Sequence, residues 1–184
     1  MTTFFTSDIH FMHDKEFLYG PRGFSSIGEM NESVVERWNS VVRPGDTVYV
    51  LGDLMLGGTS GTEAGIQLLS RLNGDLRIII GNHDTDNRVK AYAELQSVKS
   101  IQYADRIKVG GLNVFLTHYP CLTGNDEKTI KQTMFSLSGH THSKDLFHQG
   151  NPLMYNVAMD AHNCTPVSDD EVVSDIIAAF GKKV

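Results

Sequence analysis

Short runs of β-branched and aromatic residues alternate along this chain with stretches of helical period, the pattern of a layered α/β domain. Strands are predicted at Thr3 to Thr6, Thr47 to Leu51, Arg77 to Ile80, Asn113 to Thr117, Met134 to Ser138 and Met154 to Ala158. Ser26-Ile27-Gly28-Glu29 has the spacing of a capping box, and Ile27, Met30, Val34, Trp38 and Val41 then follow one helical face. A second helix is predicted over Glu63 to Leu72, with Ile66, Leu69 and Leu72 facing inward, and a weaker one over Asn87 to Leu95. Ser168-Asp169-Asp170-Glu171 repeats the capping-box spacing. Val172, Val173, Ile176, Ile177 and Phe180 supply the apolar side of that last helix, and Gly181 ends it.

Between these elements, Gly57-Gly58-Thr59-Ser60-Gly61 lacks the Lys and the flanks of a phosphate-binding P-loop and reads as a flexible loop. The polar stretch from Thr123 to Lys131 is expected at the surface. No internal repeat or linker interrupts the chain. Its 184 residues, 40% of them hydrophobic, suit a single domain over 1–184 with one substantial core.

Charge and cysteine usage narrow the class. A formal net charge of −6 argues against a broad basic surface for long nucleic acid, yet leaves a small phosphorylated substrate open. The two cysteines, Cys121 and Cys164, form no Cys-x-x-Cys pair. Neither a disulfide framework nor a thiolate zinc site is implied, and both read as packing residues of a cytoplasmic protein. Apolar runs such as Ile78-Ile79-Ile80 fall far short of the roughly 20 residues of a membrane span. The first residues show no export signal.

The chemistry is carried by the residues at the strand ends. Five of the predicted strands run into Asp8-Ile9-His10, Gly52-Asp53, Gly81-Asn82-His83-Asp84, His118 and Gly139-His140-Thr141-His142. Ligands of open α/β sheets sit beyond the carboxyl ends of strands, so these loops can converge on one cleft. In extended backbone, residues i and i+2 point the same way. Asp8 with His10, and His140 with His142, could then each present two donors together.

Imidazole, carboxylate and amide donors without thiolate suit manganese first, with iron, zinc or nickel as alternatives. Two divalent ions sharing a bridging carboxylate would use all the donors. With only Asp8 and Asp53 charged, such a centre stays net positive and attracts an anion. Paired ions can clamp a phosphate and generate a hydroxide nucleophile near neutral pH.

The ordered series Asp-x-His, Gly-Asp, Gly-Asn-His-Asp, His and Gly-His-x-His, spanning residues 8 to 142, resembles the signature of calcineurin-like metallophosphoesterases. The resemblance implies a two-sheet β-sandwich flanked by helices, where the pattern alone would also permit one open sheet. It implies that Asp8, His10 and His142 hold one ion, that Asn82, His118 and His140 hold the other, and that Asp53 bridges them. His83 would steady the phosphoryl oxygens and protonate the leaving group after attack by a metal-bridged hydroxide. Asp84 would orient His83 by hydrogen bonding.

Segments Ser7 to His13, Arg22-Gly23-Phe24, Asn156 to His162 and Pro166-Val167 are similar to a small prokaryotic or phage branch without a separate cap domain. Ala158 stands where that branch carries glycine.

Other residues have weaker claims. His13 and Arg22 could touch substrate, though a solvated histidine and a surface ion pair are alternatives. His162 and Asp160 could line the cleft rim, and His148 reads as a surface residue. The function expected is hydrolysis of a phosphodiester, ahead of a monoester, with a nucleotide or short oligonucleotide as fitting partners. A non-catalytic scaffold on the same fold is the rival reading.

Overall fold

The computed structural model describes residues 1–124 and 129–181. Four parallel strands, β1 (Thr3–Thr6), β2 (Thr47–Val50), β3 (Asp75–Ile79) and β4 (Val98–Gln102), form one sheet, and β9 (Val167–Ser168) pairs antiparallel with β1 at its edge. The second sheet begins with the hairpin of β5 (Ala104–Val109) and β6 (Leu112–Thr117), and continues with β7 (Met134–Ser138) and β8 (Met154–Asn156) in parallel. Helices α1 (Glu16–Tyr19), α2 (Ile27–Val41), α3 (Thr59–Leu69), α4 (Asp86–Ala93) and α5 (Asp169–Phe180) flank the sheets.

The period-2 alternation of the strands decides this layering. Phe4, Val48, Val50, Leu76 and Ile78 enter one core with Met30, Val34 and Trp38 of α2, Leu69 of α3 and Tyr92 of α4. Their neighbours Phe5, Tyr49, Leu51 and Ile79 point the other way, against Val114, Leu116, Phe135, Leu137 and Tyr155 of the second sheet and Val172 and Ile176 of α5. A strand buried on both faces shows as a continuous apolar run. That explains why these strands are readable from composition.

Several expectations need correction. Ser26 caps α2 by accepting the Glu29 N–H, but the Glu29 carboxylate turns to the N–H and hydroxyl of Ser25, so the box is half formed. The box at Ser168 and Glu171 is complete. Val41 is exposed, and Val42, already in extended backbone, takes the buried place.

Helix α3 begins at Thr59, inside the glycine-rich segment read as a loop, and stops at Leu69. Glycine disfavours a helix by about 1 kcal/mol, but tertiary packing overrides it here. A Cβ on Gly65 would lie 2.7 Å from Met55 Sδ.

Strands β4, β5 and β9 fall outside the predicted set for a different reason. β4 and β5 carry charged and half-exposed residues at sheet edges, and β9 has two residues. Of the polar stretch after Cys121, Thr123, Thr129 and Lys131 are exposed; residues 125–128 lie outside the described set. No helix among the described residues is long and apolar enough to cross a membrane.

Candidate metal centre

The loops after β1 and β2 are zipped together before any side chain acts. Asp8 N–H donates to Gly52 O, His10 N–H to Asp53 O and Phe11 N–H to Leu54 O, each at 3.0 Å. The backbone between is not extended, contrary to the i, i+2 argument. Asp8, His10, Asp53, His140 and His142 all have positive φ, between 52° and 71°. For a side-chain-bearing residue that conformation costs about 1 kcal/mol or more. Strain repeated at the candidate donors marks a site held in shape by its surroundings.

Asp8 and His10 still reach one point. Asp8 Oδ1 lies 3.8 Å from His10 Nε2 and 3.6 Å from His142 Nε2. His140 and His142 do not act as a pair: His140 Nδ1 turns instead to Asn82 Oδ1, at 2.9 Å. The same Asn82 oxygen is 2.9 Å from His118 Nε2. Between the two groups stands Asp53, whose Oδ2 is 3.7 Å from His10 Nε2 and 3.5 Å from His118 Nε2. His83, with 43% of its side chain exposed, brings Nε2 to 4.0 Å from that oxygen, and its own N–H donates to Asp53 Oδ1.

Second partners aim these donors. Asp8 Oδ2 accepts from Ser7 Oγ at 2.7 Å and from His140 N–H at 2.8 Å, which leaves Oδ1 for the cleft. Gly139 makes that possible, because a Cβ there would collide with Asp8 Oδ2 and Ser7 Oγ. His118 Nδ1 faces Leu51 O at 2.8 Å and His142 Nδ1 faces Asp160 Oδ2 at 3.0 Å. Each contact assigns the proton to Nδ1 and turns the Nε2 lone pair into the site.

The residues fit a pair of cations. Asp8 Oδ1 is buried without a hydrogen-bond partner. His118 Nε2 meets the Asn82 carbonyl oxygen, two lone pairs facing each other once Nδ1 carries the ring proton. His10 Nε2 and His142 Nε2 are 3.1 Å apart. Orphaned acceptors crowded into one cleft are what a cation would satisfy. Asp8, His10 and His142 form one compact candidate group, and Asp8, Asp53 and His118 another.

Residues 1–158 match the calcineurin-like phosphoesterase superfamily domain. The chain belongs to that superfamily. An uncharacterized protein of Methanocaldococcus jannaschii is 33% identical over 171 residues, covering 91% of this chain and 86% of the relative. The Gene 66 protein of Mycobacterium phage L5 is 30% identical over 162 residues, 77% of each. The crystal structure of a protein of unknown function from Aquifex aeolicus shares the fold, with a TM-score of 0.70 at 20% identity over 94% of this chain and 98% of that one.

Within this phosphoesterase domain, burial, hydrogen bonds and neighbouring charges together set the protonation of the cleft. Desolvation, reinforced by His142 and Arg22, pushes the His10 pKa down to about 2 and keeps its lone pair free. Burial also pulls His142 down, but its hydrogen bond to Asp160 and the charges of Asp8 and Asp160 outweigh that and raise it. Asp53 is raised by desolvation, only partly countered by the His83 N–H.

Among the described residues, no hydrogen bond joins the Asp84 carboxylate to the His83 imidazole. Its Oδ2 accepts the N–H groups of Asp53 and Gly81, and its Oδ1 those of Leu54 and the Tyr92 hydroxyl. The carboxylate braces the loops after β2 and β3. His83 is instead tethered through its backbone, with Arg88 donating to its carbonyl and to Gly57 O.

Arg22 is likewise not a surface group: its side chain is 1% exposed. It grips Asp160 with two hydrogen bonds and donates to the carbonyls of Asp8 and Ile9. His162 turns from the cleft to Asn156 O at 2.7 Å.

His148, read as exposed, is buried beside Thr141 Oγ1 and Ser138 O. Ala158 is fully buried and pairs with Ser7, so the methyl group does not prevent close approach there. Cys164 is buried and Cys121 half-buried, both as free thiols. Of the residues given weaker claims, His13 and Asp160 reach the cleft, Asp160 through His142. Of the residues not singled out, Tyr92 carried no sequence signal beyond being polar, whereas Ser7 and Asn156, which holds the carbonyls of Ser143 and Asp145, lie in segments whose resemblance could have pointed to them.

Proposed function

We propose that this chain hydrolyses phosphodiesters at a site for two divalent cations. Asp8, His10 and His142 would hold one, Asn82, His118 and His140 the other, and Asp53 would serve both. The observation that carries this reading is the buried, unpartnered Asp8 Oδ1 set against two imidazole nitrogens, with Asp53 Oδ2 between His10 and His118. When bound, such a pair polarises phosphoryl oxygens and supplies an activated water. Manganese suits this donor set first; iron, zinc and nickel are the alternatives.

The protein's own groups do the rest. Oxygen from a water that has released one proton to solvent forms a bond to phosphorus while the opposite ester bond breaks. His83, exposed at the cleft and close to Asp53, gives its proton to the departing oxygen. A positioned acid of this kind contributes about 10²- to 10⁴-fold, most for the poor leaving groups of natural diesters. A nucleotide or short oligonucleotide fits the open cleft formed by the described residues, and the free thiols fit a cytoplasmic setting.

The test is metal analysis of the purified protein together with hydrolysis of bis-p-nitrophenyl phosphate and p-nitrophenyl phosphate. About two equivalents of metal per chain and preferential diester turnover are expected. A protein that binds no divalent ion and turns over neither ester would refute the reading.

A further inference from the structure

Beside the donors lies a cavity of about 580 Å³ whose lining combines polar residues, among them His10, His13 and His83, with the apolar Phe17, Leu18 and Pro21. We propose that it is the leaving-group subsite, and that it takes an alcohol bearing a flat aromatic group, seated against Phe17. The proposal rests on the phosphoesterase reading above and names the part of the substrate that the cleft selects.

Three observations carry it. The first is position: His83, the proton donor, lines this cavity, so the ester oxygen that receives the proton must open into it. The second is size. A volume within the roughly 300 to 1,000 Å³ of small-molecule sites leaves room for more than a phosphate.

The third is Phe17 itself, 72% exposed while its neighbour Leu18 is buried. A single exposed apolar side chain is ordinary. Phe17 differs because its ring stands edge-on to His13 at 5.6 Å, and His13 in turn lies 5.3 Å from His10. A line of rings therefore runs from the donors to the cavity wall. An aromatic group entering here would gain an offset or edge contact with Phe17 and remove its face from water.

Calorimetric titration of metal-loaded protein with phenylphosphonate and methylphosphonate separates this subsite from the metal centre. In the wild type the phenyl compound should bind about tenfold more tightly. Phe17→Ala should erase that advantage and Phe17→Trp should keep it, with methylphosphonate unchanged in all three. Equal affinities in the wild type, or a phenyl advantage that survives in Phe17→Ala, would overturn the subsite while leaving the phosphoesterase reading intact. If neither phosphonate binds, the reading of the metal centre fails and the subsite falls with it.

Discussion

Tyr92 donates its hydroxyl to Asp84 Oδ1 across 2.9 Å, with both side chains buried. The carboxylate then has four donors, since Asp53, Leu54 and Gly81 contribute backbone N–H groups. An asparagine could offer only one acceptor oxygen and would point its amide hydrogens at N–H groups. Asp84→Asn should therefore destabilise the metal-free fold by about 3 kcal/mol, and Tyr92→Phe by about 1 kcal/mol. Urea unfolding of both variants measures this. Unchanged stability in Asp84→Asn with a displaced pH–rate profile would instead return Asp84 to the role of orienting His83.

Arg22 acts at one remove from the donors, through Asp160 to His142. Burial alone would raise the Asp160 pKa, but its hydrogen bonds to His142 and Arg22 hold it well below the ordinary carboxylate range. Lysine keeps the charge but not the planar fork that grips both carboxylate oxygens. Arg22→Lys should lower metal affinity by about 10- to 100-fold, while KM at saturating metal stays close to wild type. A raised KM with intact metal affinity would show that Arg22 meets substrate after all.

The donors were legible because each follows a strand with a buried apolar face, and β1, β2 and β3 send residues into both cores, so the apolar run and the polar residue after it stand out together. Asp8 after Thr3–Thr6 and His118 after Leu112–Thr117 are examples. What binds the donors was not legible. Sequence cannot show that Asp84 turns toward Tyr92, eight residues on, or that Arg22 crosses to Asp160, because the first depends on how α4 packs beside the loop after β3 and the second joins residues far apart in the chain. Left-handed backbone at Asp8 and His142 was hidden for the same reason: without glycine it leaves no mark in composition.

Helix α5 offers a test outside the centre. Ser168 accepts the Glu171 N–H while its own N–H and hydroxyl bind the Glu171 carboxylate. Ser168→Ala should cost about 1 kcal/mol. The side-chain and then the backbone hydrogen bond from Ser168 hold Glu171 below its usual value of 4.5. A depressed folded pKa stabilises above the unfolded pKa, and that contribution disappears as pH falls through the folded one. Unfolding free energies from about pH 6 to about pH 3 should show wild type ahead of Glu171→Gln at the upper end and the gap closing in acid. A gap independent of pH would mean the carboxylate charge plays no part in the cap.

Metal linkage separates the residues that hold cations from the residue that moves a proton. A ligand present at 100 times its Kd stabilises by about 2.7 kcal/mol, which for a chain of this length raises Tm by about 5 to 10 °C. Wild type should show that rise with manganese and lose it with chelator. His118→Ala should lose it too, because His118 is fixed by Leu51 O with its other nitrogen in the cleft.

His83→Ala should keep the full rise yet turn over diesters about 10²- to 10⁴-fold more slowly, because its imidazole stands at the cleft mouth, half-exposed, 4.0 Å from Asp53. Loss of the manganese-dependent rise in His83→Ala would place that side chain among the cation donors, and the proton would then have to come from another group facing the same cavity, of which His13 is the nearest in character.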